Sequence, residues 1–211
     1  MAQEISISEN DRILIVAPHP DDECIGCGGI MLAYPEKCTI WVLTDGSLGC
    51  PQRSKDETAF VRQQEFLSEM EYLGIQKYHM FYVQDGQLSS SDQPYEDGML
   101  NGFTKVFVTP ELDQHEDHRT ACKLISASLK RINSPAEVYQ YEIASMLVNV
   151  THYFDISSYV DEKEKLIKIH QSQINEFDYS TMSKSLNWFR AASLNINVNY
   201  AEAFTKLESG H

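Results

Sequence analysis

Short apolar runs alternate with helical patterns through the first two-thirds of the chain, and this alternation limits the choice of fold more than any other feature. The runs cover residues 12–17, 39–44, 79–83, 105–109 and 137–141. Each is rich in branched or aromatic residues and is bounded by Pro, Gly, Asp or Thr, as strands are. Helical patterns cover residues 22–33, 57–73 and 117–131, and the second of them stops at Leu73–Gly74, a typical helix end.

This alternation predicts parallel strands joined by right-handed crossovers. We therefore expect a Rossmann-like α/β fold, a mainly parallel sheet with helices on both faces, in a single domain over residues 1–211. A chain of 211 residues is long enough for one sizeable core. Ligands of such sheets bind beyond the carboxyl ends of the strands, so functional residues are expected at that edge.

Later segments give weaker patterns. The polar segment 87–102 predicts a loop where a crossover helix would otherwise lie, and helices are expected at 158–172 and 181–191. The HQSQ stretch at 170–173 is expected to form a polar helix face, with lining of the site as the less favoured alternative. Alternation in YAEAF, residues 200–204, is typical of a strand.

The charge balance limits the partners. Lys and Arg number 17 against 31 Asp and Glu, which gives a formal charge of −14 and disfavours nucleic acid and anionic membrane surfaces. No apolar stretch approaches the roughly 18 residues of a membrane span. The polar start and five cysteines, an odd number, favour a reducing compartment, and we expect a cytoplasmic protein. A small-molecule partner is expected, with homo-oligomerisation left open.

A histidine and three acids directly follow the first apolar run. His19, Asp21, Asp22 and Glu23 would repel a further negative charge, and each carboxylate prefers water, so a cation is expected among them. His19 and Asp22 could both face one metal ion, with Asp21 beside its open side. Acids at a helix start are also favoured as capping groups, but that interpretation leaves His19 and Asp21 unexplained. Catalytic zinc takes three protein ligands, so a third is expected elsewhere.

Two rival patterns occur in the same segment. Gly26, Gly28 and Gly29 resemble part of a dinucleotide-binding loop, but Met31 stands where the last glycine of the fingerprint belongs. The acids at the helix start would also repel a pyrophosphate. The C-x-x-C formed by residues 24–27 is more typical of buried thiols than of a redox pair.

A second cluster follows the fourth apolar run. His115 and His118 flank Asp117 where a strand leads into a helix. One histidine can complete a two-histidine, one-carboxylate site with His19 and Asp22, and the other can act on the substrate. Asp117 could hold that second ring in the required tautomer. The alternative is a polar helix start that is capped by an acid, which would not explain why both clusters follow core strands.

The two clusters together resemble the paired motifs of the LmbE/PIG-L family of zinc-dependent N-acetylglucosaminyl de-N-acetylases. The matching stretches are PHPDDE at 18–23 and HEDH at 115–118, with weaker similarities along nearly the whole chain. The resemblance implies a hydrolase that removes the acetyl group from an N-acetylglucosamine-type conjugate, through water activated by Zn²⁺ or another divalent transition metal.

The resemblance also implies a role for each matching residue. The metal ligands would be His19, Asp22 and His118; Asp21 the general base; His115 the general acid or oxyanion stabiliser, oriented by Asp117; and Arg62 and Asp85 contacts for substrate hydroxyls. Some relatives carry a tyrosine two positions before the first histidine of the second motif, where this chain has Asp113. They also carry a helix where this chain has the loop 87–102.

Alternatives to this function stay open at this stage. The same metal site could cleave a larger acyl group or a thiol conjugate, or the protein could be a catalytically silent sugar binder. A free carboxylate at position 21 beside the metal ligands disfavours the silent binder, because a pure ligand site needs no base. Substrate specificity is expected to depend on loops such as 87–102.

Overall fold

The computed structural model describes residues 1–208. Their strands form one eight-stranded sheet in the order β1-β7-β8-β6-β5-β2-β3-β4. The strands are β1 Gln3–Glu4, β2 Ile13–Ala17, β3 Cys38–Thr44, β4 Tyr78–Val83, β5 Lys105–Val108, β6 Glu137–Tyr141, β7 His152–Asp155 and β8 Ala201–Lys206. The α-helices are α1 Asp22–Ala33, α2 Lys55–Leu73, α3 Glu116–Arg131, α4 Val160–Ile167, α5 Gln171–Ile174 and α6 Tyr179–Ser193.

The sheet is mainly parallel, as predicted. β2 lies at its centre and pairs in parallel with β3 and β5, and β4 and β6 extend the sheet in the same direction. β8 runs antiparallel between β6 and β7. The α/β fold class is therefore confirmed; residues 209–211 of the predicted domain lie outside the described part of the chain.

The side chains of β2 explain why helices cover both faces of the sheet. Ile13, Ile15 and Ala17 pack into one hydrophobic cluster, and Leu14 and Val16 into the other. All five are fully buried, because successive side chains of a central parallel strand point to opposite faces that are both covered. Within residues 1–208, no helix is long and apolar enough to cross a membrane.

Outside the central strands, the structure corrects one sequence prediction and refines another. The helix expected at 158–172 is two helices, α4 and α5, because the chain turns at His170 to bury its ring against Glu69. The segment 87–102 has no α-helix, as expected, but it contains a 3-10 turn at Asp97–Leu100.

The segment 87–102 also packs differently from what its polarity suggested. Leu88, Tyr95 and Leu100 are buried in the cluster that α3 covers. Arg131 of α3 donates hydrogen bonds to Gln93 and Asp97. These contacts hold the segment against α3.

Gly26 lets α1 approach the sheet closely. A Cβ atom at this position would lie 2.1 Å from Cδ2 of Tyr141, whose hydroxyl donates a 2.9 Å hydrogen bond to the carbonyl of Val16. Val16 lies on β2, which leads into His19 and the acids. Tyr141 lies on β6, the neighbour of the strand β5 that leads to His115 and His118. The contact therefore fixes the start of α1 relative to the carboxyl edge of the sheet.

Gly26→Ala is expected to lower the free energy of unfolding by about 1–3 kcal/mol, because the added methyl group overpacks the interface with Tyr141. Urea unfolding measures this loss. Gly98→Ala is the matched control, since a Cβ there meets its nearest neighbour at 3.8 Å. Equal stability of the two variants would contradict the close packing of α1.

Candidate active site

The turns after β2, β3, β4, β5 and β6 meet at the carboxyl edge of the sheet and enclose a cavity of about 500 Å³. Seven of the eight predicted site residues line it: His19, Asp21, Asp22, Arg62, Asp85, His115 and His118. The eighth, Asp117, is fully buried beside His19. Residues that are distant in sequence thus meet where the topology places a ligand site.

The three predicted metal ligands converge on one point. Oδ2 of Asp22 lies 3.2 Å from Nδ1 of His19 and 3.3 Å from Nε2 of His118. The backbone N–H of His19 donates to the same oxygen at 2.9 Å and tightens the turn into α1. All three side chains are buried. Two imidazoles and one carboxylate at this spacing form a donor set that fits a divalent transition metal.

His115 offers a further nitrogen to the same site. Ring nitrogens of His19, His115 and His118 lie within 4.8 Å of one another. Mutual distance thus favours the three histidines as a set, whereas Asp22 is supported by its two short contacts, one to each of the other rings. Asp22 lies buried between the other two rings, whereas His115 is exposed to the cavity, which favours Asp22 as the ligand and His115 as a group for the substrate.

Charge in this cluster favours a bound cation. Burial lowers the pKa of His118, but the carboxylates of Asp22 and Asp113 outweigh burial and raise it to about 9. Burial raises the pKa of Asp22, yet the rings of His118 and His19 hold it well below its ordinary value. The cluster therefore keeps the Asp22 carboxylate ionised and stabilises one positive charge beside it, either a proton on His118 or a cation in place of that proton.

Asp21 is held in a strained backbone conformation beside the ligands. Its φ of 124° lies in a region that residues other than glycine rarely adopt, at a cost of about 1–3 kcal/mol. Its backbone N–H donates to Glu23, and its carbonyl accepts from Cys24. Arg62 donates to its Oδ1 at 2.9 Å. Burial raises the pKa of the Asp21 carboxyl, with Arg62 opposing that rise.

Arg62 acts as a buried clamp on this turn. It lies on α2, which begins with a capping box between Ser54 and Glu57. Besides Asp21, its guanidinium donates to the carbonyls of Pro20 and Gly46, at 2.6 and 3.1 Å. Contact with substrate hydroxyls stays a prediction for Arg62, which lines the cavity while it holds Asp21.

Asp85 and Asp117 lie behind His19. Oδ1 of Asp85 is 3.2 Å from Nε2 of His19, and Oδ2 of Asp117 is 3.4 Å from the same nitrogen. Burial raises the pKa of Asp85, but contact with His19 outweighs burial and lowers it to about 2. Asp117 accepts from the backbone N–H groups of Gly86 and Leu88. Its carboxylate thus holds His19, and not His115 as the sequence interpretation had it.

His115 is oriented by the backbone at the start of α3. Its Nδ1 accepts a 3.3 Å hydrogen bond from the N–H of Asp117, and its own N–H donates to Asp113. Because Nδ1 accepts, the neutral ring carries its proton on Nε2. Burial lowers the pKa of His115, as do the neighbouring rings of His19 and His118, which keeps the ring neutral.

Sequence reasoning missed Asp113 as a site residue. Its Oδ2 lies 3.3 Å from Nδ1 of His118, and both atoms are buried without a well-aligned hydrogen bond. A carboxylate behind a metal-ligating histidine fixes the ring and raises its basicity. The available signal was its position two residues before His115, in the loop between β5 and α3.

Asp113→Asn is expected to weaken metal binding by about 10–100-fold, because the carboxylate that supports His118 is lost. Metal titration of the stripped variant measures the change. Asp92→Asn, on the exposed part of the 87–102 segment, is the control. An unchanged affinity in Asp113→Asn would contradict the supporting role.

A buried network lies next to Asp21. Nε2 of His170 is 2.7 Å from Oε2 of Glu69, and both side chains are fully buried. Burial raises the pKa of Glu69 to about 8, and burial together with Glu69 raises that of Glu23. The HQSQ stretch therefore follows the less favoured alternative: Gln173 lines the cavity, and His170 belongs to this network. Cys24 is buried, as expected.

Stability is expected to depend on pH through Glu69. Its pKa of about 8 exceeds the ordinary value of 4.5, so the folded state binds more protons than the unfolded state between these values. The free energy of unfolding therefore falls as pH rises from about 4.5 to 8. Glu69→Gln is expected to flatten that fall, as measured by urea unfolding at pH 5 and 8. An unchanged slope would show that Glu69 does not bind the proton.

Comparison with known proteins identifies the family of the chain. The family model described as PIG-L, GlcNAc-PI de-N-acetylase, matches residues 14–129, more than half of the chain. A diacetylchitobiose deacetylase from Thermococcus kodakarensis is 28% identical over 190 residues, which cover 78% of this chain and 71% of the relative. A probable N-acetyl-alpha-D-glucosaminyl L-malate deacetylase 2 from Bacillus anthracis is 26% identical, covering 78% and 83% of the two chains.

Solved structures share the fold. The N,N'-diacetylchitobiose deacetylase from Pyrococcus horikoshii superposes with a TM-score of 0.73 at 22% identity, covering 94% of this chain and 84% of that chain. The 4-carboxy-2-hydroxymuconate hydratase GalB from Pseudomonas putida KT2440 reaches 0.72 at 17% identity, covering 95% and 98%. The fold therefore supports more than one chemistry. The match over residues 14–129 spans both the acidic and the histidine cluster, and the chain belongs to the PIG-L family.

Proposed function

We propose that this protein is a metal-dependent hydrolase that removes the N-acetyl group from an N-acetylglucosamine-type substrate. The observation that carries the proposal is the position of Asp21, a carboxylate beside the set formed by His19, Asp22 and His118, at the wall of the cavity. The family match and the deacetylase relatives support the same reaction. The predicted amidase alternatives would use the same residues on another acyl group.

The donor set formed by His19, Asp22 and His118 would hold the metal ion, with zinc as the expected ion. When bound there, a divalent ion supplies the Lewis acid that polarises an amide carbonyl and acidifies water. Asp113 and Asp117 would orient the two histidines from behind, through Nδ1 of His118 and Nε2 of His19.

Asp21 takes the proton from the attacking water. Arg62 occupies Oδ1, which leaves Oδ2 for the proton. The pKa of the carboxyl is raised by burial, and a base whose pKa lies closer to neutral accepts a proton more effectively. Arg62 holds the carboxylate in place, and the same carboxyl then delivers a proton to the departing amine.

His115 stabilises the negative charge that develops on the carbonyl oxygen. Its Nδ1 accepts from the backbone of Asp117, so a second proton on that nitrogen would face another N–H donor. The geometry therefore supports a neutral ring that donates through Nε2, the oxyanion-stabilising alternative, over a protonated general acid. Asp85 and Arg62 lie on the same wall and are proposed contacts for the hydroxyls of the sugar.

Release of acetate and free amine tests the proposal. Metal-loaded and chelator-stripped protein would be incubated with N-acetylglucosamine, diacetylchitobiose and the malate conjugate of N-acetylglucosamine. Acetate is expected only with the metal-loaded protein, in amounts equal to the free amine. Binding without any turnover would favour the silent binder.

A further inference from the structure

We propose that the cavity selects an uncharged substituent on the amino sugar, one that presents a hydrocarbon or C–H-rich face, over an anionic substituent. The inference rests on the proposed function, because it concerns the part of the substrate that extends away from the acetamide. It is carried by the charges of the cavity wall and by the apolar side chains at its mouth.

The cavity wall carries more negative than positive charge. Four carboxylates line it, those of Asp21, Asp22, Asp85 and Asp113, together with the single guanidinium of Arg62. Arg62 is already ion-paired with Asp21 at 2.9 Å. Even with a divalent cation bound, the formal charge of these groups stays negative. An anionic substituent would therefore be repelled from the wall, and the chain's net charge of −14 adds to that repulsion.

Neighbouring basic side chains do not compensate. Among residues 1–208, Arg62 is the only Lys or Arg that lines the cavity. Arg119 lies closest in sequence to the second cluster, and its guanidinium donates to the backbone carbonyls of Asp113 and Gln114, at 2.8 and 2.7 Å. Arg190 is buried and ion-paired with Glu142. Neither arginine faces the substrate.

Apolar side chains form part of the mouth of the cavity. Leu48, 49% exposed, and the half-buried Tyr179 line it, together with the buried Ile143 and the polar Gln114 and Ser145. The ring of Phe177, 53% exposed, packs edge-to-face on Tyr179 with centroids 5.0 Å apart. Met146, 50% exposed, follows Ile143 on the same loop. Exposed apolar side chains grouped around a cavity are typical of a surface that binds an apolar face.

This apolar rim is held in place by polar anchors. The N–H of Leu48 donates to Asp85 at 3.0 Å. The N–H of Leu147 donates to Glu142 at 2.6 Å, and Arg190 donates to the carbonyl of Leu147 at 2.8 Å. A rim that is fixed before binding loses little entropy when a ligand arrives.

Three substrates that differ in the substituent test the inference: octyl N-acetylglucosaminide, diacetylchitobiose, and the malate conjugate of N-acetylglucosamine. We expect kcat/KM for each uncharged substrate to exceed that for the malate conjugate by at least about tenfold at low salt. Added salt should raise kcat/KM for the malate conjugate and leave the other two unchanged. A malate conjugate that is preferred, with kcat/KM falling as salt rises, would overturn the inference.

Leu48→Lys places a cation at the rim. It should raise kcat/KM for the malate conjugate and lower it for the octyl substrate. Phe60→Lys is the matched control, because Phe60 is 62% exposed on α2 and does not line the cavity. Equal ratios of the two substrates in both variants would also overturn the inference.

A binding experiment distinguishes failure of this inference from failure of the proposed function. The affinities of the same three compounds for metal-loaded Asp21→Asn protein are measured by calorimetry, where no turnover is needed. Tighter binding of the uncharged compounds supports the inference even if no acetate is released by the unaltered protein. Tighter binding of the malate conjugate contradicts it whatever the activity.

Discussion

Asp21→Asn is expected to lower kcat for acetate release by about 10²–10⁴-fold, because the amide cannot take the proton from water. The metal content should stay at its original level, since Asp21 contacts Arg62 and not the converging atoms of the ligand set. Steady-state kinetics together with metal analysis of the same sample measures both quantities. KM should change little, because the substrate contacts remain.

Asp92→Asn serves as the control for this experiment, since Asp92 is an exposed carboxylate on the segment that packs against α3. Its kcat should equal that of the unaltered protein. Full activity of Asp21→Asn would contradict the assignment of the base, and loss of metal from that variant would move Asp21 into the ligand set.

His118→Gln is expected to weaken metal binding by more than the roughly 10–100-fold expected when a residue that supports a ligand, such as Asp113, is lost. At limiting metal, acetate release should be abolished. The ring provides the nitrogen that lies 3.3 Å from Asp22, so its removal leaves two ligands. Metal titration followed by spectroscopy with a coloured ion such as cobalt measures affinity and coordination together.

His152→Gln is the matched control, because His152 lies on β7 and contacts the hydroxyl of Thr151 instead of the cavity. It should bind the metal as the unaltered protein does. An unchanged affinity of His118→Gln would contradict the ligand assignment, and an equal loss in His115→Gln would favour the alternative set of three histidines.

The central strands and both clusters could be predicted from the sequence because local signals and topology agree there. The fully apolar run that became β2 indicates a strand buried on both faces, and such strands occur in parallel sheets. Once parallel order is expected, His19 and His118 must meet at one edge, although they are far apart in the chain. Their ring centroids are 5.3 Å apart.

Side-chain direction could not be predicted in the same way. Asp117 lies between two histidines in sequence, yet its carboxylate points to His19 and to the N–H groups of Gly86 and Leu88. Helix geometry at the start of α3 decides this, and a spacing of one residue does not reveal it. Glu69 was missed because its partner, His170, lies in a distant segment, and Asp113 because the loop that brings it to Nδ1 of His118 carries no sequence pattern.

The polar segment 87–102 shows where composition misleads. Its serines and acids predict a polar loop on which specificity depends, but Leu88 and Tyr95 anchor it in the core under α3. Only the residues just before it, Asp85 and Gly86, reach the cavity. Isolated apolar residues in a polar segment carry no periodic signal, so their burial becomes visible only in the folded chain.

Acetate release measured against the amount of metal added to stripped protein tests the central claim most directly. We predict that the rate rises linearly until one ion is bound per chain and then stays constant, with Asp21→Asn binding the same amount of metal but remaining inactive. Acetate release by fully stripped protein, or no release from any N-acetylated amino sugar at one bound ion per chain, would contradict a metal-dependent de-N-acetylase.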